Sequence, residues 1–428
     1  MEYQMRLRLG QKFPFYKLIT AILLFVTTQK PLSAQPMPWA HGRTPAGQLS
    51  VYLVTFGPGD DLTTWFGHAG LVIRDSVAHL SKIYNFGLFA FDEGFIKNFI
   101  FGRLIFWKGR SDLAPMLTYY KNEHRTIRFY RLNLEDSAKV VLARQLEEEV
   151  RPGNRKYLYD HYRDNCATRL RDLIDNALHG QFKEQTRLMT PDTYRTLTMQ
   201  YTDAHPLWQW LLLFLMNDTI DAPLSRWQTM FLPDYLARYV TQATYTDSHG
   251  VNRPLTNRHW TEYDAGRQPP PSADKLDTHP VWPLLSGLFY MLLMYLLSGT
   301  ARRHAVGRRA LAFSLFFFPF LAGIIGSVLF FMAFFTNHTV TWHNENLLLW
   351  HPLTLLSALP ALATYSPKNG TRPWKQLELF WLVQSLLVLI LLIAKIFPPF
   401  SQDNLMALSF GVPFVWAHYL AVKRFQTK

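Results

Sequence analysis

Five apolar segments crowd the last third of the chain, at roughly 282–299, 311–335, 346–365, 379–397 and 405–422. Each is near the length a tilted helix needs to cross the ~30 Å hydrocarbon layer of a bilayer. The third is the weakest by pattern, with His351, Pro352 and Pro360 inside it. Charge placement supports the count. Arg302, Arg303, Arg308 and Arg309 follow the first segment, Lys368, Arg372 and Lys375 the third, and Lys423, Arg424 and Lys428 the fifth. The two remaining loops, around 336–345 and 398–404, contain no Lys or Arg. Basic loops stay on the cytoplasmic side, so everything ahead of the first segment is expected outside.

The N-terminus agrees. Arg6, Arg8, Lys12 and Lys17 precede an apolar run, Leu18 to Val26, and Leu32-Ser33-Ala34 follows Pro31. This is the layout of a secretory signal, with cleavage after Ala34 or retention as an anchor. No cysteine follows the run, so the chain is not itself expected to be a lipoprotein. The organisation read from these signals is 1–34 signal segment, 35–275 periplasmic domain and 276–428 transmembrane domain.

The net charge of +13 could suggest nucleic acid, but the basic residues are scattered and many flank apolar spans, so no nucleic-acid partner is expected. One cysteine in 428 residues excludes an intrachain disulfide and any cysteine-based zinc cluster. The fifteen histidines do not pair at ligand intervals beside carboxylates, so no metal or other cofactor is expected.

Residues 35–275 read as a mixture of strands and helices. Strands are expected at Val51 to Phe56, His68 to Arg74, Ile83 to Gly87 and Thr126 to Leu132, and a helix over Asp136 to Val150. Arg253 to Pro280, rich in Pro, Asp and Arg, reads as a linker into the membrane.

The cysteine is Cys166, in YDHYRDNCATRLRDLID. Asp164 and Asn165 before it are helix N-cap types, and Ala167, Leu170, Leu173, Ile174, Ala177 and Leu178 recur at helical spacing. Cys166 is therefore expected in the first turn of an amphipathic helix. There the dipole and unpaired N–H groups lower a thiol's pKa and offer an oxyanion hole. A free cysteine can equally be a small buried hydrophobe. His68, in FGHAGLVIR, is the candidate general base, although a lone histidine can also be a surface or hydrogen-bonded core residue. Asn85 in YNFG is the first choice to orient the imidazole, with His161 and Asp164 as alternatives.

The order His, strand, polar residue, then Cys opening a helix resembles the circularly permuted papain-like fold shared by lecithin:retinol acyltransferase relatives and cell-wall hydrolases. FGHAGLVI, YNFG, YDHYRDNCATRLRD and MFLPDYL together resemble the exported domain of the Lnb-type bacterial lipoprotein N-acyltransferases, and five membrane spans fit the same family. The resemblance implies an α+β permuted papain-like periplasmic domain followed by an all-α membrane domain of about five helices. It implies a membrane-bound thiol acyltransferase in which His68 and Cys166 match the catalytic pair; Asn85 is placed by fold analogy. The implied acyl donor is a phospholipid, and the implied acceptor is the N-terminal diacylglyceryl-cysteine of a lipoprotein. A membrane-tethered cysteine peptidase or cell-wall amidase is the alternative, and a non-enzymatic assembly protein a third. His343 and Glu345, in a loop on the same side as Cys166, either face the site or a lipid head group, or serve as caps and interfacial anchors.

Overall fold

Strand alternation builds the periplasmic half. In β1 (Leu49–Phe56), Val51 and Leu53 enter one core while Tyr52, Val54 and Phe56 enter another. The same split divides Ala69, Leu71 and Ile73 from Val72 in β2 (His68–Asp75), and Tyr84 and Phe86 from Ile83 in β3 (Leu80–Leu88). With both faces apolar, these strands must be covered on both sides. The computed structural model describes residues 37–90, 94–272, 275–276, 279–366 and 370–427. The signal segment expected over 1–34 lies outside the described residues.

Among the described residues β1, β2 and β3 join β4 (Ile105–Asp112), β5 (Ile127–Leu132), β6 (Lys156–Leu158) and β9 (Thr256–Tyr263) in one seven-stranded sheet, order β6-β4-β3-β2-β1-β5-β9, each pair antiparallel. A small hairpin of three-residue strands, β7 (Thr244–Thr246) with β8 (Asn252–Pro254), stands apart. Between β3 and β4 (Ile105–Asp112) lies the short helix α1 (Phe95–Ile100). Helix α2 (Leu113–Asn122) packs Leu113, Met116 and Tyr120 on one sheet face, leading to β5 (Ile127–Leu132). On the other face lies α3 (Asp136–Glu149), followed by β6 (Lys156–Leu158) and α4 (Cys166–Ala177), which packs on β2 and β3. Leu170 and Ile174 of α4 are fully buried, each contributing roughly 1.5–3 kcal/mol. Helices α5 (Tyr194–Thr202), α6 (Pro206–Leu215) and α7 (Pro233–Gln242) also belong to this half.

The sequence reading is corrected at its linker. Residues 253–263 are not a connector: β9 (Thr256–Tyr263) is the edge strand beside β5. Trp260 packs beside Phe129 in the α2-side core, whereas Asn257, Arg258 and His259 are exposed. An edge strand with a wet face has the polar composition that suggested a linker.

Among the described residues, five helical segments are long and apolar enough to cross a membrane: Val281–Arg303, Ala305–Phe335, Glu345–Ala363, Arg372–Ala394 and Leu405–Gln426. The sheet-containing domain is thus followed by an all-α membrane part. The third segment is broken, passing through 3-10 turns (Glu345–Leu348, Pro352–Ser357) before a short α-helix, Ala358–Ala363. Pro352 and Pro360 cannot donate to a helical ladder, which accounts for the interruption.

The halves meet at two seams. In one, the Asn217 side chain donates to the carbonyls of Trp342 (2.7 Å) and Thr339 (3.2 Å), and Asn346 donates to Phe214 O (2.8 Å). In the other, Asn337 N–H donates to Phe101 O (2.9 Å), which fastens the α1 hairpin to the outer end of the second span.

Candidate active site

Asn165 caps α4. Its side chain accepts from Ala167 N–H (2.9 Å) and Thr168 N–H (3.0 Å), while Thr168 Oγ1 accepts from Asn165 N–H (2.8 Å). This reciprocal pair sets Cys166 as the first helical residue, with its sulfur buried.

His68 opens β2, and its ring stacks near Phe56 (6.0 Å between centroids) and Tyr120 (6.2 Å). Its Nε2 lies 3.3 Å from Asn85 Oδ1. An amide oxygen only accepts, so Nε2 carries the proton and the lone pair sits on Nδ1. Asn85 stands opposite Gly70 in the β2–β3 register.

The ladder is irregular between Asn85 and Leu88, and Gly87 there has φ +86°. The irregularity opens the sheet beside the helix start: a Cβ on Gly87 would lie 3.9 Å from Cys166 Cβ and 3.8 Å from the Tyr159 ring. Only glycine adopts this backbone without strain while leaving that space empty.

Two opposing effects act on the thiol. Burial pushes the Cys166 pKa up, and the N–H groups of Ala69, Ala167 and Cys166, with the charge of Arg125, pull it back only in part. The expectation of a lowered thiol pKa is therefore corrected: a sealed site outweighs the helix dipole. Burial, aided by Arg125, lowers His68 to about 4. At neutral pH the resting pair is a thiol and a neutral imidazole. Backbone N–H groups of Ala69, from β2, and of Cys166 and Ala167, from α4, converge on the sulfur.

Two family models cover most of the chain. The Lnb N-terminal periplasmic domain matches residues 36–200, and the Lnb transmembrane domain matches 275–424. The chain belongs to the Lnb family. Comparison with curated proteins and with solved structures gave no match. As an Lnb-family chain it is a multi-pass membrane protein whose N-terminal domain is periplasmic.

Within this Lnb chain, the other expected site residues take different places. Asn165 is fully engaged as the cap, its amide donating to His161 O and Phe231 O (both 2.8 Å). Asp164 is bound by Arg169 through two nitrogens. The His161 ring packs among Phe66, Tyr162 and Phe231, with Nδ1 3.5 Å from the Tyr159 hydroxyl. Of the three candidates to orient His68, the structure brings only Asn85 to it. His343 is exposed, and Glu345 is buried in another network, accepting from Lys395 (2.7 Å) and Gln402 N–H (3.0 Å). Neither touches Cys166, His68 or Asn85 among the described contacts.

Arg125 was not singled out in the sequence. It is 4% exposed, donates to Gly57 O (2.7 Å) and Phe56 O (3.5 Å), and lies 4.8 Å from the Tyr120 ring centre. Among the described residues no carboxylate pairs with it, so its charge acts on His68 and Cys166. Tyr157 and Tyr159 also border the thiol, and burial keeps both hydroxyls neutral. A lone arginine before a strand and a pair of tyrosines carry no motif by which sequence could select them.

Proposed function

We propose that this chain is a thiol acyltransferase of the bacterial inner membrane that N-acylates lipoproteins from the periplasmic side. Cys166 Sγ attacks an ester carbonyl of a phospholipid as its proton passes to His68 Nδ1. The tetrahedral oxyanion is held by backbone N–H groups at the start of α4 and at Ala69. The C–O bond then breaks, the departing glycerol oxygen takes the proton from His68, and the acyl group remains as a thioester on Cys166. The free α-amine of a diacylglyceryl-cysteine attacks that thioester and gives a proton to His68. The C–S bond breaks, the amide leaves, and the sulfur recovers its proton from His68. No cofactor enters either half.

The reading is supported by a Cys166 thiol that meets the N–H of Ala69, the residue after His68, and by the His68–Asn85 contact, in an Lnb chain with five apolar spans among its described residues. The alternative, a tethered peptidase or amidase, has less support. Such an enzyme needs one anchor, whereas here the catalytic half is fastened to the spans at two seams.

The test is mass spectrometry of a model lipoprotein's N-terminal peptide from cells carrying the native or Cys166→Ala protein. The expected result is a third acyl group, on the amine, with the native chain only. N-acylation that persists with Cys166→Ala overturns the mechanism. Peptidoglycan cleavage by the native chain without N-acylation favours the alternative.

A further inference from the structure

Helix α6 is apolar on every side. Its sequence, PLWQWLLLFL, has one polar side chain, Gln209, whose amide donates inward to Met199 O (2.9 Å). A helix hydrophobic all round is expected to be buried. Here one face is buried and another is not. Trp210 and Phe214 pack beside Trp350, with ring centres 5.8 and 5.3 Å away, in the core of the membrane half. Leu207 and Trp208 are 75% and 50% exposed. At about 1.5 Å per residue the helix is ~15 Å long, half of the ~30 Å hydrocarbon layer, and too short to span it.

Contacts along the spans give its depth. Trp350 borders Phe410 (6.2 Å) and Phe414 (5.7 Å) of the fifth span, which begins on the outer side at Leu405. These rings lie roughly 8 and 13 Å along the helix axis from that end. Helix α6 is therefore level with the outer half of the spans. Its last carbonyls are paired accordingly. A helix end leaves carbonyls without intrahelical donors, and hydrocarbon supplies none. Arg195 donates to Leu213 O (3.2 Å), and the Asn346 and Asn344 amides donate to Phe214 O (2.8 and 3.3 Å).

The α1 hairpin repeats the pattern. Ile96 and Ile100 are 67% and 45% exposed. The next ring, Phe101, meets Phe331 of the second span (5.7 Å). Phe331 lies about 6 Å along the axis inside Phe335, whose ring is itself 61% exposed. Ile100 also shares an apolar cavity of about 510 Å³ with Val328 and Ile324, deeper along the same span. Again the carbonyls are paired from the membrane half: Phe99 O accepts from His338 Nε2 (2.9 Å) and Phe101 O from Asn337 N–H (2.9 Å). The exposed Lys97 has the reach to carry its charge to the head groups.

We infer that α6 and the α1 hairpin are inserted in the periplasmic leaflet, and that acyl chains of membrane lipids cover their exposed faces. The periplasmic half then enters the bilayer at two places besides the five spans. Three features select lipid as the partner: the level of both elements along the spans, the apolar character of their outer faces, and carbonyl ends that need no water. A soluble protein partner would have to enter the hydrocarbon to reach either face. The inference goes beyond the acyltransferase reading and does not rest on it.

The test uses the full-length Cys166→Ala chain, which leaves no other thiol, in nanodiscs of phosphatidylethanolamine and phosphatidylglycerol. Leu207→Cys, Trp208→Cys, Ile96→Cys and Ile100→Cys are introduced one at a time and labelled with the environment-sensitive dye NBD. Two positions in each element keep the test decisive where one variant folds poorly. Leu386→Cys, at an exposed apolar position of the fourth span, is the lipid control, and Asn257→Cys, on the wet face of β9, the aqueous one. A phospholipid with a nitroxide on its acyl chain should quench all four dyes about as strongly as the lipid control, and an order of magnitude more than the aqueous one. Aqueous iodide should quench only Asn257→Cys. Iodide quenching of either element at the level of Asn257→Cys overturns the proposal. Quenching by neither agent would mean cover by protein, such as a second copy of the chain, and overturns it as well. No turnover is involved, so the outcome is independent of the N-acylation assay.

Discussion

Gly70 faces Asn85 across the β2–β3 ladder, and a methyl group at Gly70 would lie 3.1 Å from the Asn85 Oδ1 that holds His68. The same methyl would lie 3.0 Å from Ile83 Cδ1 and 3.1 Å from its Cγ1, so both neighbours are crowded. Gly70→Ala should therefore turn Asn85 away from His68 and lower the N-acylation rate roughly 10- to 100-fold, the scale of an ångström-sized misplacement. Asn85→Ala should cost about as much. The double variant should be no slower than either single one, because both act through the same bond. Losses that multiply would show that Gly70 acts elsewhere.

The pH dependence follows from a buried imidazole. His68 titrates at about 4 in the folded chain, against an ordinary 6.5. The neutral form is the base, so the rate should rise through about pH 4 and be near its plateau by pH 6. Between 6.5 and about 4 the unfolded chain takes up a proton that the folded site refuses. Stability is therefore lost as pH falls through that window and loses nothing further from this group below it. His161, also lowered to about 4 by burial, adds in the same direction. On the thiol side, burial raises Cys166, so iodoacetamide should label it slowly at pH 7 and faster above the ordinary thiol range. Rapid labelling at pH 6 would indicate a resting thiolate instead.

Arg125 should be separable from a purely structural residue by its pH signature. Its charge lowers both His68 and Cys166. Arg125→Met should then move the acid limb of the rate profile upward, toward 6.5, and make the thiol harder to alkylate. It also strands the carbonyls of Gly57 and Phe56, for a stability loss of about 1–3 kcal/mol by thermal or denaturant unfolding. Arg125→Lys keeps the charge and should return the acid limb most of the way. An acid limb unmoved in Arg125→Met would leave Arg125 a role in folding alone.

The parts of this architecture legible in the sequence are those encoded locally. Asn165 and Thr168 place a helix start at Cys166 through bonds within four residues, and the spans announce themselves by continuous apolarity. Asn85 was within reach because it lies one strand after His68, and adjacent antiparallel strands pair. What could not be read depends on sheet order. Arg125 reaches the site because β5 pairs with β1, and Tyr157 because β6 pairs with β4, neither being its sequence neighbour. The polar edge strand β9 was lost for a related reason, since its partner β5 lies more than a hundred residues earlier. The irregularity at Gly87 is also invisible without the pairing it interrupts.

Glu345 gives the sharpest separation between a lipid-facing carboxylate and a structural one. Its side chain is 6% exposed, against 23% for Lys395, which donates to it at 2.7 Å. Gln402 N–H donates at 3.0 Å, and the Gln402 amide continues to Met216 O (2.9 Å), tying the outer loops of the membrane half to the periplasmic domain. Lys395→Ala should strand a buried carboxylate and cost about 3–5 kcal/mol, the usual penalty for breaking such a pair from one side. Lys395→Ala combined with Glu345→Gln should recover part of that loss, because the neutral amide still accepts from Gln402 and no charge is left unpaired. His343→Ala, at an exposed position, should change neither stability nor rate. Thermal unfolding in detergent, with N-acylation normalised to folded protein, checks all three. Should Glu345→Gln alone keep the native unfolding temperature yet abolish N-acylation, the carboxylate would belong to the substrate path and not to the seam.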